Sequence, residues 1–379
     1  VTLYLDLHVL QSLPPSNVNR DDTGSPKTAT FGGMPRARVS SQAWKRAMRK
    51  HFETYLNSAD LGVRSKRLLS LIAARVTELE PSLEEKSLKL ATDALSKLGI
   101  DVKAPRAKKP KVGEEPPEPE PESEYLVFLS NLQVENLAQY IAQVEQTGGK
   151  FDKKATIAAA NTDHSIDLAL FGRMVADLTE LRVDASAQVA HAIGVHGVEP
   201  EFDYYTAVDD VDTADHAGAG MIGTIEFNSS LLYRYATLNV DGLADHLGDP
   251  AATGRATGAF VNSFVRSMPS GKQNTFAHRT LPHAVVAVAR TDQPVNLVGA
   301  FENAVTAGGD RSRLSKAAAA LVQHSERLSD AYGRDAIERS WVVCAHEDAD
   351  VLTELGESVS VDALVEAVDE LSKDAVGAR

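Results

Sequence analysis

Residues 36–50 read RARVSSQAWKRAMRK and bring together Arg36, Arg38, Lys45, Arg46, Arg49 and Lys50. Cations at that density suit a phosphate chain. With Arg20 and Lys27, residues 1–50 hold eight basic against three acidic side chains, a formal +5, although the whole chain carries −14; the other 329 residues therefore carry −19. Such asymmetry marks a confined polyanion-binding end, with a solvated helix face as the plainer alternative. In a helix, Lys45 with Arg49 and Arg46 with Lys50 stand at i, i+4, where like charges repel mildly. An anion lying across both pairs relieves that repulsion.

Other candidate chemistry is thinner. GAGMIG at 218–223 spells G-x-G-x-x-G, but the dinucleotide version needs a strand before it and a helix after it. Here an acidic loop precedes and strand-like sequence follows, which predicts a hairpin tip. SGKQNT at 270–275 has Arg266 where a phosphate loop needs its first glycine, and Gln273 where it needs Ser or Thr. That excludes an NTPase and leaves Lys272 and Gln273 as contacts for phosphate or ribose. Asp209, Asp210, Asp212, Asp215 and His216 do not follow calcium-loop spacing, and neither H-E-x-x-H nor a nucleophile elbow occurs. His278 and His283 lack a ligand partner nearby, and His346-Glu347-Asp348 reads as a polar turn. We expect no catalytic residue, no metal site and no cofactor. LYLDL at 3–7 fits the aromatic submotif on the first strand of RNA-recognition sheets, but the partner motif K/R-G-F/Y-G/A-F-V is missing.

These residues need elements to position them. Val1, Leu3, Leu5, Leu7 and Val9 alternate with Thr2, Tyr4, Asp6 and His8, predicting a half-buried strand. A long polar loop, SLPPSNVNRDDTGSPKTATFGG, follows. Ser40 or Ser41 can cap a helix in which Trp44, Met48, Phe52 and Leu56 form the buried stripe. From about 60 to 195 the pattern reads helical, VDASAQVAHAIGV included, and is interrupted at 103–124 by a Pro/Glu-rich insertion that cannot bury a core. EFDYYTAV and TIEFNSSLLYRYATLNV read as strands of a long hairpin, and alternating helices and strands complete the chain. The prediction is an α+β sheet domain split by a helical insertion.

At 379 residues with 43% hydrophobic content, the chain has ample length for a large core. The single Cys344, set in SWVVCA, excludes an intrachain disulfide and predicts a buried, inert thiol in a reducing compartment. No apolar run approaches the roughly 20 residues of a membrane helix, and VTLYLDLHVL lacks the form of a signal peptide. We expect a soluble cytoplasmic protein with no membrane partner. A surface this acidic would repel phosphates away from the basic site.

Taken together, LHVLQSLPPSNVNRDD, SPKTATFGG, RARVSSQAWKRAMRK, DLALFGRM, FDYYTAVDD, EFNSSLLYRYATLN and GKQNTFA, in this order, resemble the CasC-type backbone subunit of the type I-E CRISPR Cascade complex. The resemblance spans nearly the whole chain; the insertion at 103–124 departs from it. It implies a right-hand architecture. An RRM-like (ferredoxin-like) palm would span 1–57 and 227–379, with helical fingers at 58–198 and a β-hairpin thumb at 199–226. It implies a non-enzymatic role in antiviral defense: copies stack head to tail into a helical oligomer along the crRNA, kink it at intervals and present it to target DNA. Partners in that ribonucleoprotein complex would be further copies and the large, small, 5′-end-capping and crRNA-processing subunits. The RNA-binding residues it implies are Asn19, Arg20, Lys27, Arg38, Ser40, Gln42, Lys45, Arg46, Arg49, Arg173, Met174, Lys272 and Gln273. Met174 would be an apolar wedge, where the residues alone favour a core methionine. Phe202, Thr206, Met221 and Ile222 would belong to the thumb. Two rivals stand beside this reading: a ribonuclease using Asp21 or Asp22, and an acidic scaffold that binds no nucleic acid.

Overall fold

In the computed structural model, which describes residues 2–103, 121–174, 179–207, 221–306 and 308–378, the opening alternation becomes strand β1 (Tyr4–Ser16). Leu5, Leu7 and Val9 are buried on one face, and Asp6 and His8 are equally buried on the other. The strand is thus covered on both sides, not half-buried as its polar residues suggest. Burial is tolerated because Tyr235 donates to Asp6 Oδ1 (2.8 Å) and His8 Nδ1 lies 2.9 Å from the Tyr233 hydroxyl, so the polar groups are paired. LYLDL therefore forms no open aromatic sheet face.

The loop expected next contains a hairpin, β2 (Thr28–Phe31) and β3 (Met34–Val39), turned by Gly32 and Gly33, both at positive φ. Helix α1 (Ser41–Phe52) follows, with Trp44, Met48 and Phe52 fully buried at the expected spacing; it ends before Leu56, the expected fourth member of the stripe, which is half-buried beyond the helix. Next come β4 (Gly62–Ser65), α2 (Leu68–Leu79), α3 (Glu84–Lys97), β5 (Val102–Lys103), β6 (Glu122–Ser123), β7 (Val127–Ser130), α4 (Asn131–Gln146), α5 (Lys153–Asn161) and α6 (Ile166–Phe171). Helix was expected from Leu126 onward, but VFLS is strand β7, paired with β4. Ser130 then starts α4 with a capping box shared with Gln133.

The larger correction concerns 183–195. Its alanines favour a helix, yet it forms β8 (Ala187–Val189) and β9 (Ala192–Gly194). Both pair with the long β11 (Met221–Asn239), which also pairs with β10 (Glu201–Ala207). Tertiary pairing outweighs local propensity here. The remaining elements are α7 (Val240–Leu247), α8 (Pro250–Arg266), α9 (Gln273–Phe276), β12 (Ala284–Arg290), α10 (Arg313–Tyr332), β13 (Ile337–Cys344), β14 (Glu357–Ser358) and α11 (Val361–Gly377). No described helix is long and apolar enough to cross a membrane.

Two compact units result. The first comprises Val1–His51, Ala187–Asp241 and Thr253–Arg379. Its mixed sheet runs β14-β13-β12-β1-β11-β9-β3-β2, antiparallel throughout except for β13 with β14. One face of this sheet holds Val9 and, directly opposite on β11, Arg234, whose guanidinium lies 3.7 Å over Trp44 and 4.5 Å over Phe264. The other face holds Leu10, Tyr233 and Tyr235 in a core with Phe301, Leu314, Leu321 and Val342.

The second unit comprises Phe52–Ser186 and Gly242–Ala252, where the sequence reading drew its helical segment at 58–198. It is mainly helical, built on Leu69, Ile72, Val76, Leu95, Leu137 and Ile141. The β5–β6 pair closes the base of the Pro/Glu-rich insertion, whose residues 104–120 lie outside the described residues.

Candidate nucleic-acid interface

The first unit gathers most of the expected contacts at one end of its sheet. Leaving β1, the chain turns at Asn17, whose Nδ2 donates to Gly24 O (2.9 Å) and Glu226 O (2.8 Å). This ties the loop to the start of β11. Asn19 then does double duty: its Oδ1 accepts the Ser40 N–H (2.8 Å) and its carbonyl accepts the Lys27 N–H (2.9 Å). The Lys27 carbonyl accepts the Arg38 N–H (2.9 Å), while Arg38 Nε donates to Thr28 O (3.0 Å). Asn19, Lys27 and Arg38 line one crevice with Asn228, and Arg20 stands exposed beside it, bridged to Pro26.

An exposed histidine registers the positive field. Arg38 Nη1 lies 3.1 Å from His191 Nδ1. Burial, then the charges of Arg38 and Lys27, hold the His191 pKa below its ordinary value.

Ser40 is buried at the start of α1 and its Oγ accepts the Ala43 N–H (3.4 Å), as an N-cap should. Gln42 is exposed in the first turn. Lys45 and Arg49 are half-buried flankers of the Trp44–Met48 stripe, and Arg46 and Lys50 are exposed, as the spacing predicts. Burial lowers the Lys45 pKa. Arg36, by contrast, is fully buried. Its guanidinium donates to the carbonyls of Phe31, Gly194 and Phe301, so it braces the sheet and leaves the row of candidate phosphate ligands.

The 270–276 loop joins this end of the sheet through a backbone contact. A Cβ on Gly271 would sit 2.2 Å from Val18 O, so only glycine permits the approach. Lys272 follows with φ 54°, a left-handed conformation uncommon for lysine. Lys272 is half-buried and Gln273 exposed, and Phe276 of the loop meets Phe227 at the root of the hairpin, ring centroids 5.9 Å apart. Sequence reasoning did not single out Asn17, His191, Phe227 or the steric role of Gly271. Only Gly271, next to Lys272, carried a legible signal.

Phe202 and Tyr204 are over 60% exposed on β10, and Thr206 is exposed as well. The register sets Phe202 opposite Glu226, Thr206 opposite Ile222 and Ala207 opposite Met221. Residues 208–220, with the acidic cluster and the first half of GAGMIG, lie outside the described residues; Met221–Gly223 belong to a strand, as a hairpin requires.

In the second unit, Arg173 and Met174 part ways. Arg173 is 2% exposed; it donates from Nε to Leu181 O (2.6 Å), from Nη1 to Phe128 O and Gln133 Oε1 (both 3.1 Å), and from Nη2 to Asn161 Oδ1. Burial lowers its pKa to about 10. The expected RNA contact at Arg173 is therefore corrected: the guanidinium is committed to the protein's own acceptors. Met174 is 89% exposed, which overturns the core reading that its composition favoured.

Asp21 Oδ1 accepts from Thr23 N, Thr23 Oγ1 and Ser25 N, bonds that lower its pKa and close its turn. His278 is buried with Nε2 3.0 Å from Pro269 O, and His283 Nε2 lies 2.7 Å from Ser12 Oγ. Cys344 is half-buried, less than expected, and its thiol donates to His346 O and Asp350 Oδ1. Among the described residues no cluster of His, Cys, Asp or Glu is arranged to hold a metal.

An α+β chain thus collects cations, a capped helix start and a lysine loop at one end of one sheet. The profile of the CT1975-like protein family matches residues 5–367, and the chain belongs to that family. Among solved structures, a chain of a CRISPR RNA-guided surveillance complex in a pre-nicking state is 34% identical, with TM-score 0.79, over 96% of this chain and 100% of that one. A chain of another CRISPR RNA-guided surveillance complex is 29% identical, with TM-score 0.70, over 96% and 99%. No curated protein matches. The resemblance drawn from the sequence, to a Cascade backbone subunit, is upheld.

Proposed function

We propose that this chain is the crRNA-binding backbone subunit of a type I-E Cascade effector, working without catalysis in the cytoplasm in antiviral defense. The first unit serves as an RRM-like palm, the second as helical fingers, and the β10–β11 hairpin as a thumb. Copies stack head to tail on the guide, and because such contacts do not close they give an open filament. The carrying observation is the convergence of Arg20, Lys27, Arg38, the start of α1 and Lys272 in a chain of net charge −14.

A subunit that must accept any spacer grips backbone and leaves base edges free. Cations, main-chain N–H groups and a helix start are the tools for that task. Met174 adds an apolar, adaptable surface that can sit beside a base of any identity. Holding the guide in short ordered segments lowers the entropy cost of pairing, and backbone contacts help tip a near-balanced strand exchange toward target DNA. The large, small, end-capping and processing subunits complete the particle.

The test is salt-dependent RNA retention. Removing one cation from a single strand's phosphates lowers the log–log slope by about 0.7, so Lys45→Gln with Arg49→Gln should flatten it by about twice that. An unchanged slope would refute the assignment of these side chains. Regularly spaced cuts in complementary RNA incubated with magnesium would favour the ribonuclease, and a purified protein free of nuclease-sensitive 260 nm absorbance would favour the scaffold.

A further inference from the structure

The first unit contains a cavity of about 600 Å³ that none of the proposed RNA ligands lines. It lies on the sheet face that carries Tyr233 and Tyr235, opposite the face that meets Trp44. Asp6 and His8 of β1 and Arg290 of β12 line it from the sheet. Ser329 and Tyr332 line it from the last turn of α10, and Asp335 from the turn beyond.

The hydrogen-bond network fixes the state of His8. Asn296 Oδ1 accepts the Val298 N–H (3.0 Å), which identifies that atom as the amide oxygen. The Tyr233 hydroxyl, 3.2 Å away, must therefore donate to it. Tyr233 also accepts the Leu297 N–H (3.1 Å). With its one proton spent, it can only accept from His8 Nδ1, 2.9 Å away. His8 thus carries its proton on Nδ1 and a lone pair on Nε2. The side chain is 3% exposed, lines the cavity and has no second partner among the described residues. Burial, with Arg290 nearby, holds its pKa at about 3, so the ring stays neutral. That lone pair belongs to a residue on the cavity wall, so a donor entering the cavity can meet it.

The charges select the kind of donor. Arg290 is engaged bidentately by Asp292, at 2.6 and 2.8 Å. Arg290 also attracts Asp6, but among the described residues it is the one cation on a wall that carries three carboxylates, Asp6, Asp292 and Asp335. Asp6 accepts from neutral donors, the Tyr235 hydroxyl and the Val295 N–H (2.9 Å), with the Thr237 hydroxyl also bonded to it. An anion would face these carboxylates. A cation finds an acceptor and a carboxylate at the floor, an apolar wall in Val288, Val295 and Leu328, and a tyrosine ring at Tyr332.

We propose that this cavity is a binding site for a small alkyl diammonium ligand, whose inner ammonium donates to His8 Nε2 and Asp6 while its methylene stem lies against the apolar wall. Recognition is by a buried imidazole lone pair and a carboxylate, with Asp335 meeting the outer ammonium.

Calorimetric titration of the full chain with 1,5-diaminopentane tests it, with 1,5-pentanediol as the neutral counterpart of equal length. Saturable binding of one diamine per chain and none of the diol is expected. Asp335→Asn, an exposed change that leaves the core alone, should weaken diamine binding about tenfold, a change of about 1.4 kcal/mol. Ser329→Trp, which fills the cavity from α10, should abolish it. Should this variant unfold, Ser329→Phe with a circular dichroism check replaces it. Equal binding of the diol, or diamine binding that survives a folded cavity-filling variant, would overturn the proposal; the latter would mean that the amine collects on the acidic surface.

Discussion

Arg173 and Met174 are neighbours with opposite relations to water. The guanidinium of Arg173 gathers the carbonyls of Leu181, Phe128 and Ala160, and its backbone exchanges bonds of 2.9 and 3.0 Å with Val183. That rivet fixes the chain where Met174 leaves the surface. Arg173→Lys keeps the charge but loses the planar fork, orphaning buried carbonyls. It should lower unfolding stability by on the order of 3 kcal/mol in urea denaturation, and an unmoved midpoint would contradict the rivet. Met174→Ala should change stability by less than about 0.5 kcal/mol, because little is buried there. Its effect should appear only with RNA bound, as reduced fluorescence of 2-aminopurine at the displaced guide positions. The sequence holds no local sign of this division. GRM has no periodicity that separates a buried arginine from an exposed methionine, and Met174 was readable as a wedge only through resemblance.

At the scale of elements, the basic end depends on segments remote in sequence meeting through backbone. Gly271 against Val18 holds the Lys272 loop to the Asn17–Arg20 segment. Since the atoms a new Cβ would strike are main-chain, Gly271→Ala must part the two. We expect a loss of about 1–3 kcal/mol and weaker RNA retention than Lys272→Gln alone causes, measured by filter binding. Equal retention in the two variants would show that the loop's placement is immaterial. Helix α1 was legible because Trp44, Met48 and Phe52 recur at one helical period with cations beside them. Strands β8 and β9 were not, because AQVAHAIG satisfies helix propensity and only its pairing to β11 decides otherwise. Strand β1 was legible as a strand but not as a doubly covered one, since the tyrosines that pair Asp6 and His8 lie more than 200 residues away. Arg36 was misjudged for the same reason: beside the nearby Phe31 carbonyl, its cage is completed by Gly194 and Phe301 from two distant segments.

Over the whole molecule, histidine burial gives stability a common pH dependence. His8, His51, His164, His191, His196, His283 and His324 all have pKa values lowered chiefly by burial. In each case the unfolded chain binds a proton more readily than the folded one, so stability is full above the unfolded value of 6.5 and falls as pH drops below it. Asp6 works in the opposite sense. Burial raises its pKa, so the folded state takes up a proton first and acidification relieves part of the cost of keeping that carboxylate charged. The histidines act first, because their unfolded value lies above the carboxylate range. For His8, with a folded value of about 3, the loss between pH 8 and pH 5 comes to about 2 kcal/mol. His8→Gln removes the titrating group while keeping a side-chain donor for Tyr233. We expect it to be less stable than the parent at pH 8 and to lose about 2 kcal/mol less on going to pH 5, read from urea midpoints at the two pH values. Parallel losses in both proteins would mean that His8 is not held neutral in the folded state.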